Sequence, residues 1–547
     1  MFKKFLVACS IAVCLILGPM MVNVFGQDAS PSPSPSPTLS SPEATASPTA
    51  SPEATASPTA SPEATASPTA SPEATASPTA SPEATASPTI EASPLPVPIV
   101  PADASRQEPS AAVTESPINP GDTAWVLISS ALVMLMTPGL AFFYGGLVRS
   151  RNVLNTMMMS LIAMGLVGVI WVLWGYSLSF APTSYAVDAN PAEFQANPII
   201  GSLKWIFLNE VSFDKPDPVG YAGTIPHQMF MVYQMMFAMI TPALISGAIV
   251  ERISFKAYFW FIFFWINIIY FPLAHWVWGK GWIGVNLGAL DFAGGTVVHI
   301  SSGVSAVVAA YILGPRKTYP TQPAAPHNVP YVLLGIGLLW FGWLGFNGGS
   351  ALAANSVAAV AFVTTVVAAA SAGLTWVILE WVLRNKPTAI GIATGFLAGL
   401  VGITPAAGYV SPLAAILIGS ITSLCCFYAV ILRAKLQFDD SLDTYPVHGV
   451  GGTVGALLTG VFANKAFNSA GADGLLAGHP ELLWKQFVGV VVTYLFAAVG
   501  TLVILKGLSL VMALRVKPIA EEQGLDINEH GEEGYGEEFA SGLSLSE

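Results

Sequence analysis

Two histidines in this 547-residue chain follow an acidic residue at the same distance. His299 comes eight positions after Asp291, and His448 comes eight positions after Asp440. Both pairs lie in apolar stretches, where an ionisable side chain usually has a function. Two neutral imidazoles can hydrogen-bond to each other, relay a proton and accept a hydrogen bond from a passing molecule. The repeated spacing therefore indicates a membrane pore lined by two histidines.

The same four residues allow plainer interpretations. Either histidine could simply join two helices by a hydrogen bond. A metal site is not favoured, because no third nitrogen, sulfur or carboxylate ligand has suitable spacing. Asp291 could cap the helix that carries His299, or it could supply a negative potential that favours a cation. Asp440 is predicted to cap its own helix.

The composition predicts the class of fold that must position these residues. Hydrophobic residues make up 53% of the chain and charged residues only 10%. Apolar runs of about 18 residues or more recur, which is typical of an all-α polytopic membrane protein. No basic patch suggests nucleic acid as a partner, and membrane lipid is the expected surroundings. No nucleophile elbow, phosphate loop or metal cluster suggests an enzyme or a cofactor.

Eleven transmembrane helices are expected after residue 121. Lysine and arginine are enriched at alternate span ends, which predicts a mature N-terminus outside and a cytoplasmic C-terminus. The candidate spans centre near 124–148, 154–179, 228–250, 256–277, 293–314, 330–350, 354–383, 388–404, 411–433, 442–463 and 484–514.

An internal echo suggests that the membrane part is duplicated. Phe143-Tyr-Gly-Gly146 corresponds to Phe346-Asn-Gly-Gly349, as the first Asp/His pair corresponds to the second. Because five is odd, two five-helix units must cross the membrane in opposite senses, giving an inverted five-plus-five repeat plus one long C-terminal helix. Eight residues span about 12 Å along a helix, and the hydrocarbon layer is about 30 Å thick. The two histidines should therefore meet near the middle of the membrane.

Four segments are predicted along the chain. Residues 1–26 have the pattern of a signal peptide, although an uncleaved segment acting as an extra helix stays open. Residues 27–120 form a disordered Ser/Pro/Thr/Ala/Glu-rich extracytoplasmic segment with five near-copies of a decapeptide across 41–90. The membrane domain is expected over 121–515, and a cytoplasmic tail over 516–547.

Several motifs closely resemble the ammonium transporter (Amt) family, which is related to the Rhesus proteins. The most specific is the run 291–303, which continues to Gly314-Pro-Arg316; similar runs lie at 138–146, 342–350, 447–452 and 524–532. The resemblance spans roughly residues 120 to 535. It implies a homotrimer in the plasma (inner) membrane with one pore per subunit. It also implies a tail packed under the pores, with a cytoplasmic PII-type regulatory protein as a further partner.

The resemblance also assigns roles to aromatic residues. A site for ammonium would combine aromatic faces with an oxygen acceptor, and Trp278, Phe237, Tyr233 and Ser350 lie near the external ends of their predicted helices. The family pattern implies that Trp278, Phe237 and Ser350 recruit ammonium, and that Phe237 and Phe346 form a stacked gate. Tyr233 stands where some relatives carry Phe, and its hydroxyl could accept a hydrogen bond or merely pack. Taken singly, these residues would be an interfacial anchor, core packing or a helix contact.

The expected function is ammonium uptake through a hydrophobic twin-histidine pore. A cation at the bilayer centre costs from about 3 to well over 10 kcal/mol, whereas neutral ammonia avoids this barrier. Ammonium would therefore be recruited and deprotonated, and ammonia conducted. The alternatives are an electroneutral Rhesus-like ammonia channel and an ammonium sensor. A sensor would be expected to carry a cytoplasmic signalling domain, for which the tail of about thirty residues leaves no room.

Overall fold

The structure is a computed structural model that describes residues 117–183, 197–321 and 325–535. The predicted signal peptide, all but the end of the repeat segment and residues 536–547 of the tail lie outside the described residues. Within the described ranges the secondary structure is helical, apart from one isolated β-bridge between Ile253 and Arg515. The prediction of an all-α fold is therefore confirmed.

Each of the eleven predicted spans coincides with a helix. The helices are α1 Pro120–Leu147, α2 Ser150–Phe180, α3 His227–Ile249, α4 Phe255–Val277, α5 Gly295–Leu313, α6 Val329–Ala351, α7 Ser356–Arg384, α8 Ala389–Ile403, α9 Pro412–Lys435, α10 Gly451–Phe462 and α11 Pro480–Ser509. Among the described residues, nine are long and apolar enough to cross a membrane, and α8 is a shorter apolar helix. Eleven crossings and the inverted sense of the two halves stay predictions.

Polar residues begin several of these apolar helices. Asn119 accepts hydrogen bonds from the backbone N–H groups of Gly121 and Asp122 at the start of α1, and Asn355 does the same for the first turn of α7. Ser411 caps α9 through the backbone N–H of Ala414. Such caps satisfy donors that have no partner within the helix, which matters most where lipid replaces water.

Helices α1 and α6 pack together along an extensive contact. Glycine makes this approach close, since a Cβ atom added at Gly335 would lie 2.4 Å from the backbone nitrogen of Phe143. Small residues at helix contacts in membrane proteins allow backbones to come this near. In the second half, α7 packs mainly on α8 and α9. The α1–α6 contact thus joins the first helix of one predicted five-helix half to the first helix of the other.

The described part of the tail packs against the membrane domain. It forms α12 Pro518–Gln523 and a π-helical turn at Asp526–His530. The Asp526 carboxylate accepts hydrogen bonds from the backbone N–H groups of Leu154 and Asn155 at the start of α2. The tail is thus tied to its own chain up to Tyr535, and coupling between neighbouring subunits stays a prediction.

Four charged residues, three of them buried and Arg149 partly buried, join the loops on the same side as the tail. We call Arg149, Glu251, Arg316 and Asp439 the ion-pair cluster. Glu251 accepts from Arg149 at 2.8 Å and from Arg316 at 2.6 Å, and Arg316 also pairs with Asp439 at 2.8 Å. Burial alone would raise the pKa of the Glu251 carboxyl, but the two guanidinium groups lower it to about 2. The cluster therefore holds charges that are stable only together.

We expect Arg316→Met to destabilise the protein by about 3–5 kcal/mol, because it leaves two buried carboxylates without their shared partner. Thermal unfolding in detergent measures the loss. Lys317→Met is the matched control, since Lys317 pairs with Glu522 in an exposed position and such pairs contribute about 0–1 kcal/mol. Equal melting temperatures for the two variants would contradict the prediction. The Glu251 contribution should be present above its ordinary pKa of 4.5 and decline as the pH falls towards 2.

Candidate functional site

Both histidines lie in π-helical turns. His299 is in the turn Gly295–Ile300 that opens α5, and His448 is in the turn Tyr445–Val450 that precedes α10. A π-helical turn inside a helix is uncommon and is frequent at functional sites. The two histidine segments thus share their local geometry as well as their spacing from an aspartate.

An aspartate carboxylate holds the start of each turn. Asp291 accepts hydrogen bonds from the backbone N–H groups of Gly294, Gly295 and Thr296 at 2.6–2.8 Å, and also from the Thr296 hydroxyl. Asp440 accepts from the N–H groups of Thr444 and Tyr445 at 3.0 and 2.7 Å. Negative charge is favourable at these N-terminal ends because the helix dipole is positive there. The two aspartates therefore fix the backbone that carries the histidines.

The two imidazole rings are in contact. Their Nδ1 atoms are 3.3 Å apart, and the rings lie 5.3 Å apart at an interplanar angle of 26°. Each side chain is 1% exposed. Among the described residues, neither Nε2 atom has a hydrogen-bond partner. One Nδ1 must donate and the other accept, so in a neutral pair one Nε2 carries a proton and the other is an acceptor.

A close backbone contact brings the rings together. A Cβ atom added at Gly303 of α5 would lie 2.3 Å from the backbone nitrogen of Gly449, the residue after His448. Only glycine fits at such a distance. The Trp343 ring of α6 stacks on His299 at 5.4 Å, and its Nε1–H donates to the Thr404 hydroxyl at 2.9 Å. Three helices therefore fix the orientation of the histidine pair.

Three cavities follow one another along the site. The tryptophan cavity, about 380 Å³, is lined by Trp278, Phe237 and Ser350. The histidine cavity, about 10 Å³, contains both histidines and Phe346 within an apolar wall. That volume is about enough for one water-sized molecule. The arginine cavity, about 270 Å³, has His448 in its wall together with Arg316, Arg433 and Asp443. His448 therefore lies where the second and third cavities meet.

The tryptophan cavity presents aromatic faces and a hydroxyl. Trp278 donates its Nε1–H to the backbone oxygen of Asp291 at 2.9 Å, which fixes the indole ring. The Ser350 hydroxyl donates to the backbone oxygen of Phe346 at 2.8 Å, so its lone pairs can accept from a ligand. Phe237 stands edge-on to Trp278 with ring centroids 5.8 Å apart. These groups offer a cation both cation–π attraction and an oxygen acceptor.

Two phenylalanine rings separate this cavity from the histidines. Phe237 and Phe346 have ring centroids 4.3 Å apart at an interplanar angle of 37°. Both are almost completely buried, at 1% exposure. A hydrated ion cannot pass rings at this separation, so passage requires the rings to move and the ion to lose its water.

Tyr233 lies next to the tryptophan cavity but does not line it. Its side chain is fully buried, and its hydroxyl is 2.9 Å from the backbone oxygens of Gly345 and Phe346 and 3.2 Å from the Ser350 hydroxyl. The tyrosine thus supports the end of α6 and the position of Ser350. The structure brings Trp278, Phe237 and Ser350 together, and it places Tyr233 behind them.

Sequence reasoning missed three features of the site and its surroundings. Trp343, which stacks on His299, precedes Phe346 by three positions and so shares its helix face; that spacing could have identified it. Lys280 lines the tryptophan cavity only two residues after Trp278. The ion-pair cluster had no local signal, because its members are distant in sequence.

The helices and the line of cavities define a multi-pass α-helical membrane protein with a path through its helices. A model of the Ammonium Transporter Family matches residues 124–535. An ammonium transporter of Bacillus subtilis is 50% identical over 416 residues, which cover 76% of this chain and 98% of the relative. An ammonium transporter of Aquifex aeolicus is 45% identical over 424 residues, covering 77% and 95%. The chain belongs to the Ammonium Transporter Family.

Solved structures agree with this assignment. Mep2 of Saccharomyces cerevisiae superposes with a TM-score of 0.66 at 35% identity, covering 72% of this chain and 87% of that one. A structure described as a sensor Amt protein superposes with a TM-score of 0.67 at 31% identity, covering 75% and 98%. The prediction of the family from the sequence motifs is therefore confirmed.

Proposed function

We propose that this protein takes up ammonium across the plasma membrane through a twin-histidine pore. Membership of the family and the names of the relatives support ammonium as the substrate. The contact between His299 and His448, in an apolar cavity between two larger ones, is the observation that carries the pore. The relatives are named transporters, which supports transport rather than catalysis.

Ammonium is recruited in the tryptophan cavity. The Trp278 and Phe237 rings attract the cation, and the Ser350 oxygen accepts one of its N–H groups. Potassium has the same charge but no N–H donor, so the hydroxyl favours ammonium. Asp291 provides the backbone oxygen to which Trp278 donates, and its carboxylate holds the start of α5. Its charge also makes the potential in this region more negative.

Ammonium then loses a proton, and ammonia passes the Phe237–Phe346 gate. The N–H bond of ammonium breaks, the electron pair stays on nitrogen, and the proton moves to water in the tryptophan cavity, from which the histidine pair can relay it inward. In the histidine cavity, the acceptor Nε2 receives an N–H of ammonia and the protonated Nε2 donates to its lone pair. The arginine cavity, with Arg316, Arg433 and Asp443 in its wall, provides space for water in which ammonia regains a proton.

The test is transport by the purified protein in proteoliposomes. An ammonium gradient should evoke a current or a change of internal pH, and an equal potassium gradient should evoke neither. A current identifies net charge transfer, whereas a pH change without current identifies the electroneutral, Rhesus-like alternative. Correctly folded protein that gives neither signal would contradict the transport proposal.

We expect Trp278→Leu to raise the ammonium concentration for half-saturation by about 2- to 30-fold. This range corresponds to the loss of one cation–π contact of about 0.5–2 kcal/mol. Trp278→Phe keeps an aromatic face and should have the smaller effect. The concentration dependence of the initial transport rate measures both. Equal increases of the half-saturation concentration in Trp278→Leu and Trp278→Phe would count against cation–π recruitment.

A sensor is the second candidate, because the superposition with the sensor Amt protein covers nearly all of that chain. A sensor would bind ammonium in the same tryptophan cavity but show little flux. Measuring ammonium binding and flux on one preparation separates the two functions. Saturable binding without current or pH change would favour the sensor.

The remaining features of the proposal concern assembly and orientation. The protein is a homotrimer with one pore per subunit, a mature N-terminus outside and a cytoplasmic C-terminus. Residues 1–26, 27–120, 121–515 and 516–547 are the signal peptide, extracytoplasmic spacer, membrane domain and tail. A PII-type protein docks on the cytoplasmic side, where the tail and the ion-pair cluster lie. Pull-down with a PII protein tests this partner, and failure to bind in every nucleotide state would remove it.

A further inference from the structure

A lysine shares the tryptophan cavity with the groups that bind a cation. The side chain of Lys280 is half-buried and lines the cavity together with Trp278, Phe237 and Ser350. Its Nζ atom lies over the Tyr221 ring, 5.6 Å from the ring centroid. Tyr221 in turn stacks on Phe230 at 5.1 Å. A fixed positive charge therefore lies at the wall of a site built for a positive ion.

The backbone around Lys280 directs its side chain to this place. The residue has φ = 65°, in the left-handed region that is unfavourable for a side chain with a Cβ atom. Its neighbours Gly279 and Gly281 are packed closely: an added Cβ atom would lie 2.1 Å from the Ser179 oxygen and 2.5 Å from the His275 oxygen, respectively. A lysine at a position where glycine would be less strained suggests that its side chain has a role.

In the part of the chain that the structure describes, no carboxylate is in ion-pair contact with Lys280. Among the described residues, no aspartate or glutamate oxygen pairs with its Nζ atom within 4.0 Å. Asp291 also lines the cavity, but its two oxygens are occupied by backbone N–H groups and by the Thr296 hydroxyl. Tyr221 contributes only its ring face and donates its hydroxyl to the Phe180 oxygen. The ammonium group of Lys280 thus adds positive potential to the cavity.

We propose that Lys280 sets the affinity of the tryptophan cavity for ammonium, by repelling the incoming cation and so raising the concentration needed for half-saturation. The inference rests on the proposed function and adds a residue that tunes it. Like charges several ångströms apart in a partly hydrated cavity change binding about two- to fivefold. Weaker binding also shortens the time that ammonium spends in the cavity, which favours onward passage.

The experiment compares Lys280→Gln with Lys280→Arg in proteoliposomes. Glutamine keeps a long side chain at the same φ but removes the charge, whereas arginine keeps the charge. We expect Lys280→Gln to lower the half-saturation concentration about two- to fivefold at low ionic strength. Lys280→Arg should keep the parental value. Lys465→Gln removes an exposed lysine that does not line the cavity, and it serves as the matched control.

Ionic strength separates a charge effect from a structural one. Because the Debye length falls from about 30 Å at 0.01 M to about 8 Å at 0.15 M, salt should reduce the difference between the parent and Lys280→Gln. Chloride of a large organic cation that is not transported provides the salt. A merely structural change would shift half-saturation equally at every salt concentration, and that result would overturn the inference.

The remaining outcomes distinguish this inference from the transport proposal. If the parent responds to ammonium but Lys280→Gln keeps its half-saturation and salt dependence, the role of Lys280 is wrong and transport stands. If Lys280→Arg shifts as Lys280→Gln does, charge is not the cause and the inference is again wrong. If folded parent protein gives neither current nor pH change, both proposals fail.

Discussion

Replacing His299 or His448 with alanine is expected to abolish ammonium-selective transport, lowering the ammonium-evoked signal at least about tenfold. The two rings touch through their Nδ1 atoms, and each has a free Nε2 in the described part of the chain. Removing one ring leaves the other without its hydrogen bond and enlarges a cavity of only about 10 Å³. The relay of a proton through the pair is then lost.

Potassium provides the second measurement on these variants. If the enlarged cavity fills with water, it no longer forces a cation to dehydrate, and a potassium current should appear in place of the selective ammonium signal. His479→Ala is the matched control, because His479 is an exposed histidine that pairs with Glu481 away from the cavities. Parental rate and selectivity in both pore variants would show that the pair is only a contact between helices.

Replacing Asp291 with alanine is expected to abolish transport as well. At least three backbone N–H groups and the Thr296 hydroxyl would lose their acceptor. A buried donor without a partner costs about 1–3 kcal/mol, so the turn that carries His299 should rearrange. The negative potential beside Trp278 would be lost too. Asp291→Asn keeps one acceptor oxygen, so its stability should be better preserved than its transport rate.

Initial transport rate and thermal unfolding, measured together, separate these two effects of Asp291. If Asp291 acts only as a helix cap, stability and transport rate should fall in parallel. If it also acts electrostatically, Asp291→Asn should fold but recruit ammonium less well. Asp214→Ala is the control, since Asp214 is exposed and outside the cavity. Normal flux in Asp291→Ala at normal expression would remove this residue from the site.

The sequence was sufficient for the all-α fold and the family, for physical reasons that are local. Apolar helices long enough to cross a membrane are visible in composition alone, and the acidic residue before each histidine suggested a helix cap, although the π-helical turns themselves were not predicted. The spacing also predicted that His299 and His448 would approach each other, and the structure has them in contact. Their role in transport stays a prediction.

Other features depend on contacts between distant parts of the chain, which no local pattern reveals. For the Tyr233 hydroxyl the sequence left open an acceptor for ammonium or a packing group; its bonds to backbone oxygens of α6 depend on how closely α6 approaches. Lys280 gave no signal because a lysine at a helix end is ordinarily a solvated surface residue. Helix length and composition alone establish nine candidate crossings among the described residues, so the predicted number of eleven stays a prediction.

The ion-pair cluster has a consequence for how the chain is made. Glu251 and Arg316 are separated by 65 positions, and Arg316 and Asp439 by 123. During synthesis, Glu251 is made before Arg316. Arg316 in turn is made before α6, α7, α8 and α9, which all precede Asp439. Until then Glu251 already has Arg149, which is made earlier, whereas Arg316 lacks the second of its two carboxylate partners. Formation of the Arg316–Asp439 pair therefore requires the two predicted halves of the newly made protein to be packed together.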